Sequence, residues 1–139
     1  MKITMNNPEF MPAPVRELVS RALTMCEQLL TNVSVFYPFA AINTDDVICC
    51  VFAHETEEKE TETKLIEKLQ WRIIDTTTGT DSYSILVYAA TVRTHKESDM
   101  NAIAIAISGH DVDEQLLLYP YYRVSDKIVI SPPINTMPN

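Results

Sequence analysis

Residues 101–108 read NAIAIAIS, so Ala102, Ala104 and Ala106 alternate with Ile103, Ile105 and Ile107. Alternation with period two is the mark of a β-strand whose successive side chains leave on opposite faces. One face of this strand is therefore small and the other large, and a helix can approach closely over the alanines. Residues 13–31 supply a helix. Val15, Leu18, Val19, Ala22, Leu23, Met25, Cys26, Leu29 and Leu30 recur at helical spacing with Arg16, Glu17, Ser20, Arg21, Thr24, Glu27 and Gln28 between them. Pro14 falls in the first turn, where a missing N–H costs nothing. The apolar stripe of that helix needs a sheet to lie on.

The rest of the chain provides the sheet. Residues 34–42 (SVFYPFAAI) and 47–53 (VICCVFA) are β-branched and aromatic runs separated by Asn43-Thr44-Asp45-Asp46, a hairpin signal. Pro38 cannot donate to a ladder, which predicts an edge or a bulge for the first of these strands. The stretch HETEEKETETKLIEKLQWRIID then predicts a second helix with Leu65, Ile66, Leu69 and Ile73 on its inner face and Trp71 off that stripe. Tyr83 to Thr94 is apolar on both parities, as in a central strand covered on both sides. Asn101–Ser108, Leu116–Arg123 and Lys127–Ile130 complete a meander. The order α-β-β-α-β-β-β(-β) makes an α+β fold: one mostly antiparallel sheet of five to six strands, with two helices packed on one face of it.

The 139 residues, 46% of them hydrophobic, fit a single domain spanning 1–139, with 1–11 and the proline-containing 132–139 as loose termini. The only two glycines, Gly79 and Gly109, stand alone, so no glycine-rich phosphate cradle can be written. Eleven Lys and Arg against nineteen Asp and Glu leave a formal charge of −8. That charge repels phosphate backbones and, with the cations scattered, argues against nucleic acid as a ligand. The N-terminal MKITMNNPEFMPAP lacks the apolar core of a signal peptide, and no apolar run approaches a membrane span. Cys26, Cys49 and Cys50 do not form a disulfide framework; read as reduced and buried, they suggest the cytoplasm.

Candidate chemistry is sparse. His54, His95 and His110 fall near predicted strand ends, with Glu55 and Asp111 beside two of them, yet no HxH, HxxxH or HExxH spacing exists. Neither a metal nor a cofactor is expected. Cys49 and Cys50, in the middle of VICCVF, read as packing residues rather than nucleophiles. The carboxylate pairs Asp45/Asp46, Asp75/Asp81 and Asp111/Asp113 fall in turns, where Asp is favoured for its backbone hydrogen bonds. No catalytic residue is assigned, and the chain reads as non-enzymatic.

Aromatic clusters are more suggestive. Phe36, Tyr37 and Phe39 surround Pro38, and Tyr119, Pro120, Tyr121, Tyr122 and Arg123 form a second group with Asp126 near it. Exposed Tyr and Arg are typical of protein interfaces. The expected contact residues are Tyr37, Asp45, Asp46, Glu55, Glu57, Glu58, Tyr121, Tyr122, Arg123 and Asp126.

The segments VFYPFAAINTDD, DMNAIAIAISGHD and LLYPYYR, in that order, resemble a group of small bacterial α+β proteins of unassigned function, over roughly residues 12–130. That resemblance implies the fold and no activity. In size and charge the chain is also similar to the immunity partners of bacterial toxins, which implies occlusion of a basic toxin or effector domain through an acidic, Tyr-containing surface. The alternatives are a secretion-type effector chaperone, which would dimerise, and a small metal-binding enzyme using the rim histidines.

Overall fold

The computed structural model describes residues 11–52, 61–77, 81–93, 98–110 and 112–136. The elements run α1 (Ala13–Asn32), β1 (Phe39–Thr44), β2 (Val47–Phe52), α2 (Glu62–Thr77), β3 (Ser82–Arg93), β4 (Asp99–Gly109), β5 (Gln115–Val124), β6 (Lys127–Ile130) and β7 (Ile134–Thr136). This is the expected α+β order, with every strand pair antiparallel. The sheet reads β2-β1-β3-β4-β5-β6, and β7 pairs β5 beyond β6.

The β1–β2 hairpin closes on two residues, Asp45 and Asp46, with φ of 51° and 63°. Positive φ at both central positions matches the right-handed twist of the flanking strands, and Asp tolerates it better than most side chains. β3 then pairs with β1 rather than β2, so the hairpin is turned outward and β2 becomes the edge.

The two helices lie on opposite faces, which corrects the one-face expectation. Register fixes the two sets. Ile85, Val87, Ile103, Ile105 and Leu117 join Val15, Leu18, Cys26 and Leu30 of α1 in the main core. Ala40 and Leu86 meet Leu69 of α2 on the other side, with Ile66, Ile73 and Ala106 packed against them. The small face of the alternating strand therefore belongs to α2 and the isoleucine face to α1. The doubly apolar pattern of β3 already required cover on both sides.

Other expectations also shift. The first strand begins at Phe39, not residue 34, and Pro38 precedes it instead of interrupting it. β1 is interior because β2 and β3 flank it. Cys49 and Cys50 are exposed on β2 and not buried; only Cys26 lies in the core. Residues 134–136 form β7, and Met11 is buried at 3% exposure, so neither chain end is loose over its whole expected length. The N-terminal ten residues and 137–139 lie outside the described residues.

Pro120 sits inside β5 opposite Ala102. Its carbonyl accepts from the Ser131 N–H at 2.8 Å. Backbone N–H and C=O of one strand residue point the same way, so the missing N–H of Pro120 faces the break between β6 and β7. Pro132 and Pro133 occupy that break and have no N–H of their own to offer. Proline is tolerated where a ladder is already interrupted.

Core burial also sets a pH dependence. Burial pushes the Cys26 thiol from 9.0 up to about 12 and the Tyr119 phenol from 10.0 up to about 12. Both groups fold in the neutral form, with a folded pKa above the unfolded one. Their contribution is complete below pH 9 and is lost as pH rises from 9 towards 12. Urea midpoints are expected to fall steadily across that window. In Cys26→Ala the slope becomes shallower by up to one proton; an unchanged slope contradicts the assignment.

Candidate functional site

α2 rests chiefly on β1 and β3. Its entry is capped by Thr61, whose hydroxyl accepts from the Lys64 N–H at 3.3 Å. Leu65 and Leu69 are its buried residues. On the same face of the sheet, β4 and β5 extend past the helix. Ala102, Ala104 and Ala106 of β4 stand opposite Pro120, Leu118 and Leu116 of β5. Ala104 also stands opposite Tyr88, so larger side chains shield it on both sides.

The step between helix and open sheet forms a groove of about 700 Å3 lined by Trp71, Ile73 and Ile74 from α2 and by Leu86, Ala106 and Leu116 from the sheet. Gln70, Ser108, Glu114 and Gln115 supply its polar groups, and Glu114 alone among its described lining residues is ionisable. Trp71 is 59% exposed and Ile74 49%. From the groove an apolar lane continues along β5 through half-buried Leu118 and buried Pro120 to exposed Tyr122 and Val124. Alternation places these on the α2 side, and the Tyr122 hydroxyl donates to the Met100 sulfur at 3.8 Å. Tyr122, Val124 and the neighbouring Val129 are all about half exposed. At 3.3 Å per residue the lane from Leu116 to Val124 runs about 26 Å.

Of the expected contact residues that are described, Tyr122 alone belongs to this lane. Tyr121, one position away, points to the opposite face and is buried in the α1 core at 6% exposure. Burial raises its pKa, with the Arg123 guanidinium opposing and Cys26 adding to the rise. Arg123 leaves on the Tyr121 face and donates to the backbone carbonyls of Leu30, Val33 and Ser34. It holds the C-terminus of α1, whose last turn carries no basic residue of its own. Tyr37 is exposed on the segment after α1, Asp45 and Asp46 form the β1–β2 turn, and Asp126 lies in the β5–β6 turn. Glu55, Glu57 and Glu58 lie outside the described residues.

Among the described residues the candidate chemistry does not converge. His54 and His95 lie outside the described residues. His110 Nδ1 is 3.4 Å from an Asp81 carboxylate oxygen, both well exposed. No group of three or more His, Cys, Asp or Glu that could hold a metal occurs among the described residues. Partial desolvation on the strand, then the neighbouring Cys49, raises the pKa of the exposed Cys50, with Arg21 opposing. A nucleophilic thiol needs the reverse shift.

Sequence reasoning missed the groove. Its one visible signal was Trp71, a large apolar residue off the inner stripe of its helix. Searches against family models, curated proteins and solved structures found no match for this chain.

Proposed function

We propose that this protein is a non-enzymatic protein-binding module, an inhibitor of the immunity type that occludes a basic toxin or effector domain. The open half of the α2 face is the contact surface. The observation that carries this reading is two pairs of exposed apolar side chains on one face, Trp71 and Ile74 at the groove and Tyr122 and Val124 at the end of β5, on a chain of net charge −8. Soluble monomers rarely leave large contiguous apolar patches to water, and Trp and Tyr are the residues that most often dominate interface energies. The negative field draws a basic partner and raises the association rate, and the aromatic lane supplies the desolvated centre.

The test uses the chain as bait in its native host, beside Trp71→Asp/Tyr122→Asp. Both side chains are exposed, so the double variant keeps the wild-type unfolding midpoint. The wild type should retain a basic protein whose association slows at least tenfold as salt rises from low to high. The double variant should bind it at least about 30-fold more weakly. Equal retention by both baits, or an association rate indifferent to salt, contradicts the reading.

A further inference from the structure

At the far end of the sheet from that lane, β2 is an edge strand that pairs with β1 alone among the described residues. Its sequence, VICCVF, contains no charge and no proline, although natural edges usually carry one or the other. Val47, Cys49, Cys50 and Phe52 are exposed, and they alternate over both faces, so neither helix overhangs the edge. The two-residue turn makes Thr44 and Val47 a hydrogen-bonded pair. Alternation then turns the backbone N–H and C=O of Val47, Cys49 and Val51 towards β1. Those of Ile48, Cys50 and Phe52 point outward. What fits such an edge is another strand.

We propose that the occupant is β2 of a second copy, paired antiparallel across a two-fold axis that passes through Cys50. A two-fold normal to the sheet keeps each face on its own side, so opposed residues must share a face. Two registers satisfy this with the six residues largely paired. An axis through Cys49 sets Phe52 against Asp46, which has left the strand with φ of 63°. An axis through Cys50 sets Ile48 against Phe52 and Cys49 against Val51, all apolar. Every outward backbone group then meets an outward backbone group. The strand itself brings no charge to the seam, and in this register the two Asp46 residues lie about 27 Å apart at 3.4 Å per residue, several Debye lengths at physiological salt. The pairing is independent of the lane and leaves it open in both copies.

The cysteines report the register. Directly opposed, hydrogen-bonded residues have Cα atoms about 5.5 Å apart, within the span of a disulfide. The two Cys49 residues sit diagonally at about 7–8 Å, beyond it, and Cys49 and Cys50 project from opposite faces. Light scattering of reduced protein should give twice the chain mass, and Cys50→Arg should give the single-chain mass with unchanged circular dichroism. Diamide, which takes up two protons and two electrons as two thiols join, should yield a covalent dimer in wild type and Cys49→Ser. Cys50→Ser should yield none. A reduced wild type of single-chain mass overturns the proposal, as does a crosslink that survives in Cys50→Ser and is lost in Cys49→Ser. Loss of partner capture in the bait experiment, with the dimer intact, bears on the binding lane alone.

Discussion

Arg123→Ala is expected to destabilise the fold by about 3 kcal/mol, as the lost charge and the orphaned carbonyls act together. The guanidinium reaches the Val33 and Ser34 carbonyls at 2.9 and 3.4 Å and also the Leu30 carbonyl. It thereby ties strand β5 to the end of a helix more than ninety residues earlier in the chain. Arg123→Lys keeps a positive charge at the helix end but loses the planar fork, so about half of the stability should return. Urea unfolding of the three proteins is the measurement. A change below about 0.5 kcal/mol in Arg123→Ala would mean that the side chain is an ordinary surface group. As a contact residue it would instead weaken partner binding and leave unfolding untouched.

Gly109→Ala should cost a comparable amount, about 3 kcal/mol, by overpacking and backbone strain. Gly109 has φ of 154°, and a Cβ there would sit 2.8 Å from both the Ser82 carbonyl oxygen and the Tyr83 Cα. Both are backbone atoms of β3, whose Tyr83 pairs with Gly109 in the β3–β4 ladder. They cannot retreat without disturbing the bond from the His110 N–H to the Ser82 oxygen, 3.0 Å long. Denaturant unfolding and amide exchange at the start of β3 read the effect. A variant as stable as wild type would show that this end of the β3–β4 ladder is loose. The residue that excluded a phosphate cradle in the sequence thus has a purely steric role.

How much could be read from the sequence follows from how local each signal is. The helix expected over 13–31 is found at Ala13–Asn32 because its apolar spacing is strong and self-contained. Lys127–Ile130 is found as expected, and the Asn43–Asp46 turn narrows to Asp45-Asp46. What failed depends on non-local events. VICCVF reads as buried on composition, but its place in the sheet is decided by β3, which pairs with β1 and leaves β2 outside. Tyr121 and Tyr122 are indistinguishable as types, and only the phase of β5 separates core from surface. Arg123 has its role through carbonyls some ninety positions away. The groove arises where α2 stops short of β4 and β5, a question of helix placement that no single segment encodes.

The open lane beside α2 is tested most directly by amide hydrogen exchange on the complex with the partner retained by the wild-type bait. Added protection should concentrate in residues 69–76 of α2 and 115–124 of β5, and α1 should be unchanged. Protection on the solvent side of α1, with α2 and β5 exchanging as in the free protein, would contradict the account.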